Sequence, residues 1–153
     1  MLNRYSLLIL LTLFLSGCAA MGPKFETVSQ LESGKALVYV FRPYNQENSG
    51  INPGINIDGV TEFVLKNNAY TYLFLDPGKH KVGLILSDDY HGEDALVVDL
   101  VEGHTYYLGL KTRLNRVGKY IERRFMLNLI YKQEDIKTLE DCRYLAPEKY
   151  QKF

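Results

Sequence analysis

The sequence predicts an all-β fold: an antiparallel β-sandwich or open barrel of about seven or eight strands, with a short C-terminal helix. From Lys35 to about residue 132, apolar and polar side chains alternate with a period of two, which is the pattern of strands. Turn-forming residues recur about every ten to eighteen positions. The chain also has 12 Tyr and 7 Phe but no Trp, and a composition rich in Tyr and β-branched residues favours strands over helices.

The first half of this region predicts one central strand followed by hairpins. The segment "KALVYVFRP" is apolar on both faces, so it predicts a central strand that is buried on both sides and ends at Pro43. A polar loop, "YNQENSGINPG", follows it. The next runs are separated by Asp58-Gly59, Asn67-Asn68 and Asp76-Pro77-Gly78, which are turn formers. This spacing predicts a meander of hairpins.

The second half predicts further strands and then the helix. The runs "ALVVDLV" and "TYYLGLKTRL" flank Glu102-Gly103, and "YIERRFMLNLIY" closes the series. Ile136, Leu139 and Cys142 then recur at three-residue steps, which places them on one side of a helix. Because Cys18 is assigned to a lipid below, Cys142 has no partner for a disulfide within the chain, and we expect it to be buried as a small hydrophobic residue.

The N-terminus has the layout of an export signal. A single positive charge at Arg4 precedes the apolar stretch from Leu7 to Leu15, which is too short for a bilayer-spanning helix of about 20 residues. Leu15-Ser16-Gly17-Cys18 resembles the bacterial lipobox, in which a signal peptidase cleaves before a lipid-modified cysteine. That resemblance implies a covalent lipid on Cys18, and Ala19 after it implies delivery to the outer membrane, facing the periplasm. The alternative is a plain secretory signal with an incidental cysteine.

The chain therefore divides into three parts. Residues 1–17 are assigned to a lipoprotein signal peptide, residues 18–34 to a lipidated tether and residues 35–153 to a single β-sandwich domain. The 18 basic and 18 acidic side chains balance, so no overall field attracts nucleic acid, and nucleic acid is not an expected partner. The expected partners are the membrane, through the lipid anchor, and an envelope protein or glycan.

The chain lacks the motifs of nucleophilic, zinc, dinucleotide and phosphate-loop sites, so no catalytic residue is assigned. One polar cluster, "SDDYHGED", offers metal-ligating types: Asp88, Asp89, His91, Glu93 and Asp94. These residues lie between two predicted strands, where a solvated hairpin tip has the same composition. We therefore predict no metal site and no cofactor apart from the covalent lipid. His80 and His104 are predicted to be hydrogen-bonded histidines at strand edges.

Four short motifs together resemble a bacterial lipoprotein family that carries a domain of unknown function, DUF2846. They are Arg42-Pro43, Asp58-Gly59, "LDPGKHKV" at residues 75–82 and "EGHTYYLGL" at residues 102–110. The "PG-x-H" turn is also similar to one in small carbohydrate-associated sandwich modules. The family resemblance implies a lipid-anchored envelope protein and no particular activity or binding site.

Two classes of function remain open from the sequence. The first is a non-enzymatic, lipid-anchored binding or interaction module that uses its loop ends. The second is a metal-dependent or hydrolytic envelope enzyme that uses the acidic segment from Asp88 to Asp94. The first is preferred, because an enzyme needs a nucleophile or base held by partners in a pocket, and the titratable residues here cluster at turns.

Overall fold

The computed structural model describes residues 22–86, 91–92 and 95–147. Eight of its described strands have four or more residues and two have only two. In chain order they are β1 Ala36–Arg42, β2 Gly54–Ile57, β3 Val60–Val64, β4 Ala69–Leu75, β5 Gly78–Ile85, β6 His91–Gly92, β7 Leu96–Leu100, β8 Thr105–Val117, β9 Tyr120–Leu129 and β10 Arg143–Tyr144. One short helix, α1 Gln133–Ile136, continues into a 3₁₀ turn, Lys137–Leu139. The predicted all-β class with a short C-terminal helix is confirmed.

The strands form two sheets whose facing surfaces enclose the core. One sheet has the order β10-β4-β1-β8-β9-β6 and the other β3-β2-β5-β7. Most strand pairs are antiparallel, as expected, whereas β8 runs parallel to β1, β10 parallel to β4 and β6 parallel to β9. Between β1 and β8 the chain enters the other sheet three times, as β2–β3, β5 and β7, and β8 then returns beside β1 in the same direction.

The predicted meander of hairpins is also only partly right. Asp58 and Gly59 join the paired strands β2 and β3, and their φ angles of 51° and 90° fit the two-residue turn that suits a tight hairpin. Asn67-Asn68 and Asp76-Pro77-Gly78, in contrast, carry the chain from one sheet to the other, since β4 pairs with β1 and not with β3 or β5. The positions of the turns were predicted correctly, but the pairing of the strands on either side of two of them was not.

Strand β1 is buried along its whole length, as its sequence predicted. Val38 and Val40 face the second sheet and pack in the core with residues such as Phe63 and Val82. Leu37, Tyr39 and Phe41 point to the other side of the first sheet, into a second apolar cluster.

This second cluster is covered by the two ends of the described chain. The ring of Phe25 packs edge-on against Tyr39 and Tyr70, with centroids 5.4 and 5.2 Å apart. The Val28 N–H donates to the Tyr39 hydroxyl at 2.8 Å. Residues 22–28, which the sequence assigned to the tether, are therefore packed against the domain. From the C-terminal side, Leu139 and Cys142 complete the cover. Among the described residues, no helix is long and apolar enough to span a membrane.

Candidate functional site

A groove lies at the end of β1 in the described part of the chain. Pairing between β1 and β8 stops at Phe41 and Gly109, and Pro43, which has no N–H to donate, turns the chain away while β8 continues. Two adjoining pockets of about 110 and 230 Å³ lie at this point, and both are bordered by Pro43, Leu110 and Lys111. We call the two together the β1-end groove.

The smaller pocket of the β1-end groove is largely apolar. Phe41, Gly109 and Ile130 line it. A Cβ atom at Gly109 would lie only 3.1 Å from Ile130 Cγ1 and 3.2 Å from Phe41 Cζ. The missing side chain thus lets Ile130, which directly follows β9, and Phe41 pack closely against the backbone of β8. The pocket exists because three elements meet here that are distant in sequence.

Polar groups are few and lie at the rim of the groove. Lys111 Nζ lies 3.5 Å from Asp135 Oδ2, and both residues are well exposed. The Thr138 hydroxyl donates to the Asp135 carbonyl at 2.7 Å. Tyr44, which is 63% exposed, borders the larger pocket. An apolar floor with a few polar groups at the edge is the usual character of a binding site for a small group or a side chain.

Arg42 borders the groove and holds the adjacent loop. Arg42 as a whole is 2% exposed, and its guanidinium donates to the carbonyls of Asn48, Ile51 and Leu65. Burial lowers the pKa of Arg42. The Arg-Pro motif therefore does two structural jobs: the arginine anchors the loop from residue 44 to residue 53, and the proline ends β1.

His80 and Asp58 form a close pair in the second sheet. His80 Nδ1 lies 2.7 Å from Asp58 Oδ2, and His80 Nε2 lies 2.8 Å from the Asp76 carbonyl oxygen. Burial alone would lower the pKa of His80, but hydrogen bonds to these two acceptors and the nearby carboxylates outweigh it, so the pKa is raised. Because both ring nitrogens face acceptors, neither is free to take a proton from a substrate. The pair joins the β2–β3 turn to β5. The prediction that His80 is hydrogen-bonded is confirmed.

Asp58 is fixed from a second side. The Lys81 N–H donates to Asp58 Oδ1 at 2.8 Å, and this bond, followed by the bond to His80, lowers the pKa of Asp58. His104 is exposed, with Nδ1 3.0 Å from the Glu102 carbonyl oxygen. The two histidines thus lie at strand starts and do not meet at one site.

Cys142 is buried with a free thiol, as predicted. Its Sγ lies 3.6 Å from the Arg42 carbonyl oxygen and 3.5 Å from that of Thr138. Burial, with a smaller effect from the charge of Asp141, raises the pKa of Cys142 to about 12. The thiolate is therefore scarce at neutral pH, and this cysteine is a packing residue.

The remaining sequence-predicted residues are not brought into a described site. Cys18 lies outside the described residues, as do Asp88, Asp89, Glu93 and Asp94. His91 belongs to the short strand β6, beside Arg124 of β9. Within the described ranges, no three His, Cys, Asp or Glu side chains come together in a way that could hold a metal ion. The sequence reading missed Phe41, Gly109, Ile130 and Thr138 of the groove, for which no local signal exists.

Comparison with known proteins gives a family and no activity. The model of a family described as a protein of unknown function, DUF2846, matches residues 32–120. No curated protein and no solved structure matches this chain significantly. The matched span includes Arg42-Pro43, Asp58-Gly59, His80 and the segment from Glu102, so it covers the residues that hold the loop, the turn and the sheets described above. The chain belongs to the DUF2846 family.

Proposed function

We propose that this chain is a lipoprotein of a bacterial cell envelope, held by a lipid on Cys18 in the outer membrane and facing the periplasm. Its folded domain is a non-enzymatic module that binds an envelope protein or glycan. The β1-end groove is the binding site. The covalent lipid is its one non-protein group.

The observation that carries the binding role is the composition of the groove. Its described lining combines an apolar floor with a rim of Lys111, Asp135 and Thr138. The Thr138 hydroxyl already donates to a backbone carbonyl, and Lys111 faces a carboxylate. A nucleophile held by a base would need a different arrangement of these groups. The groove therefore favours recognition of an apolar group flanked by polar contacts.

The anchor is supported by the lipobox-like sequence that ends at Cys18. Acyl chains contribute about 0.8 kcal/mol per buried CH₂, so several chains on one cysteine would hold the protein stably in a leaflet. The first described residue, Gly22, already lies against the domain, because the Pro23 carbonyl accepts a hydrogen bond from the Tyr144 N–H at 2.8 Å. The lipid would therefore keep the domain close to the membrane surface.

Replacing the anchoring cysteine tests the first half of the proposal. We expect Cys18→Ala to abolish labelling of the protein by radioactive fatty acid and to leave unprocessed precursor of lower electrophoretic mobility. The parent protein should incorporate label and appear as the shorter form. Persistent labelling of the variant would show that the anchor has been assigned wrongly.

A matched pair of substitutions tests the groove. Thr138→Leu places a larger apolar side chain in the smaller pocket, whereas Thr105→Leu makes the same change at an exposed threonine at the far end of β8. After cross-linking in the parent envelope, we expect Thr138→Leu to reduce recovery of the partner at least about tenfold. Thr105→Leu should leave recovery unchanged. Equal recovery from both variants would exclude the groove as the binding site.

Deleting the loop from residue 44 to residue 53 would be a poorer test. That loop supplies the carbonyls of Asn48 and Ile51 to the buried guanidinium of Arg42. Its removal would leave the buried guanidinium with only the Leu65 carbonyl among the acceptors described above, which is strongly destabilising. A loss of binding would then report unfolding.

A further inference from the structure

We propose that the β1-end groove binds an extended, acidic peptide segment of an envelope protein, which adds as a strand to β8. The contact runs along residues 110–117 on the side of β8 that faces β1, and we call this side the open β8 edge. The inference rests on the proposed function and deepens it, because it names the class of partner and the way in which it is recognised. Three features carry it: an interrupted strand ladder, an apolar pocket beside it and the charge of the strand.

The ladder between β1 and β8 stops while β8 continues. The two strands are paired in parallel from Leu37 and Thr105 to Phe41 and Gly109. Strand β8 then runs eight residues further, to Val117, and is paired there with β9 on its other side. In the described part of the chain, no strand pairs with β8 on the β1 side beyond Gly109. One edge of β8 is therefore open over roughly 25 Å, at about 3.3 Å per residue.

The hydrogen bonds show which backbone groups lie on the open β8 edge. The Leu37 N–H donates to the His104 carbonyl, so the backbone of His104 faces β1. The Ile130 N–H donates to the Tyr107 carbonyl, so the backbone of Tyr107 faces the β9 side. Because successive residues of a strand direct their N–H and C=O groups to opposite sides, the even-numbered residues of β8 face β1. Beyond the paired region these are Thr112, Leu114 and Arg116.

Pro43 explains why the ladder stops. In the register of the two strands, the residue at position 43 would donate its N–H to the Leu110 carbonyl. Proline has no N–H, so it cannot make this bond. The pocket of about 230 Å³ at this point is lined by Tyr44 and Asn45 of the departing chain and by Leu110 and Thr112 of β8. An added strand can enter at this pocket and take up the ladder where β1 leaves it.

The smaller pocket of the β1-end groove can receive a side chain of the added strand. It has a volume of about 110 Å³, and its lining includes Phe41, Gly109 and Ile130. A cavity of about 150 Å³ holds a benzene molecule, so this pocket suits one aliphatic side chain. Pro43 and Leu110 border both pockets, and one peptide can therefore occupy them together. In strand addition, backbone bonds supply affinity and such a side-chain pocket supplies selectivity.

The charge of the open β8 edge favours an acidic partner over a second copy of this chain. Residues 110–117 contain Lys111, Arg113 and Arg116 and no carboxylate. Lys111 Nζ lies 3.5 Å from Asp135 Oδ2, whereas Arg113 and Arg116 are exposed and join no ion pair within the described ranges. Two copies of this edge would place cations beside cations, which destabilises strand pairing. An added strand would also cover Leu114, which is 48% exposed.

The test selects peptides on the full chain, purified from its envelope in detergent. The probe is a displayed library of random decapeptides, and the recovered peptides are synthesised so that their affinities can be measured. We expect these peptides to share one apolar side chain flanked by Asp or Glu. Recovery of no binding peptide would overturn the inference.

A proline on the open β8 edge tests recognition of the backbone. Thr112→Pro removes an N–H on the β1 side and keeps the bonds to β9, and proline is compatible with such a position in an edge strand. We expect it to weaken the selected peptides at least about tenfold, because a backbone hydrogen bond is lost and the ring obstructs the edge. Thr112→Ala keeps the N–H and should bind like the parent. Equal affinities of the proline variant and the parent would overturn strand addition.

N-methylation of a selected peptide gives a second measurement, in which the protein is unchanged. A methyl group at alternate positions should lower the affinity at least about tenfold, because every second N–H of an added strand donates to β8. Methyl groups at the intervening positions should have little effect. A loss of affinity without this period of two would contradict the proposed mode of binding, whether or not the proline variant folds.

The outcomes separate this inference from the proposed function. Peptides that lose binding in Thr138→Leu but not in Thr112→Pro would overturn strand addition and leave the groove as a binding site. If no peptide is selected, but the parent sediments with purified peptidoglycan and Thr138→Leu does not, the groove binds a glycan and the inference is wrong. If no bound probe is sensitive to Thr138→Leu, the groove and the inference are overturned together.

Discussion

At the scale of single residues, the short motifs that mark the family hold the fold together. Arg42 secures a loop through the carbonyls of Asn48 and Ile51, and the Asp58–His80 pair connects a turn to a neighbouring strand. The Tyr106 hydroxyl also has a structural role, because it accepts a hydrogen bond from the Val101 N–H at 3.0 Å. Residues that look chemically active in the sequence are thus engaged in structural bonds.

The buried guanidinium of Arg42 gives a prediction for stability. Arg42→Ala should lower the free energy of unfolding by about 3 kcal/mol, because charge-assisted bonds are lost and buried carbonyls lose their donors. Arg42→Lys should recover only part of this loss, since one ammonium group cannot reproduce the forked guanidinium. Urea denaturation measures both values. An Ala variant as stable as the parent would contradict a structural role for this arginine.

The Asp58–His80 pair gives a prediction for pH. The pKa of His80 is raised on folding, so its contribution to stability is fully present below its ordinary value of about 6.5 and is lost as the pH rises through the raised value. We expect the stability difference between the parent and His80→Gln to be largest near pH 6 and to shrink towards about pH 9. Thermal melts across this range measure it.

The Asp58 carboxylate gives a second prediction, for the loss of stability at acidic pH. The pKa of Asp58 is lowered, so its contribution is present above its ordinary value and disappears as the pH falls through the lowered one. Asp58→Asn should therefore abolish the part of the stability loss at acidic pH that comes from this carboxylate. His80→Gln should only reduce that loss, because the Lys81 N–H still donates to Asp58 in the histidine variant. If the difference between the parent and His80→Gln instead grew with rising pH, the pair would not be charged in the folded protein.

At the scale of elements, β1 depends on a cover that comes from both ends of the chain. Its outward side chains Leu37, Tyr39 and Phe41 would face water without residues 22–28 and the helical segment near Leu139. The sequence showed that β1 is apolar on both faces, but the pattern of a strand does not reveal what covers the second face. The segment before residue 35 looked like a linker because it is polar and bracketed by glycines, and a single Phe25 with few apolar neighbours gives a weak local signal.

The hydrogen bond between Val28 and Tyr39 tests this cover. Tyr39→Phe removes the one hydroxyl that accepts from the Val28 N–H, and we expect a loss of about 1 kcal/mol in the free energy of unfolding. Tyr44→Phe is the matched control, since the Tyr44 side chain is largely exposed and should change stability by less than about 0.5 kcal/mol. Equal stabilities of the two variants in urea would show that the N-terminal segment is not held by this bond.

At the scale of the whole molecule, the protein is a two-sheet sandwich with the β1-end groove at one end of the first sheet. The acidic segment from Asp88 to Asp94 belongs to the connection between β5 and β7. We predict that it holds no metal ion. A native-state site should raise the free energy of unfolding by about 2.7 kcal/mol at a free metal concentration about 100 times its dissociation constant.

Thermal melting in calcium, magnesium, manganese or zinc should therefore match melting in chelator. Asp89→Asn with His91→Ala should melt like the parent in every case. A rise of several degrees with one cation, lost in that double variant, would contradict the prediction and favour a metal-dependent function for the acidic segment.

The sequence by itself determined the features that depend on neighbouring residues. The alternation of apolar residues, the Asp58-Gly59 turn, the end of β1 at Pro43 and the burial of Cys142 all follow from local chemistry. They could be predicted because each needs only a few consecutive side chains and their conformational preferences.

The tertiary structure alone decided how these elements meet. Phe41, Gly109, Ile130 and Thr138 form a groove only because β8 returns beside β1 in the same direction, a pairing that no short stretch of sequence encodes. Strand order and register are set by the burial of apolar surface over the whole chain, so they follow from the sum of distant contacts and not from any local pattern.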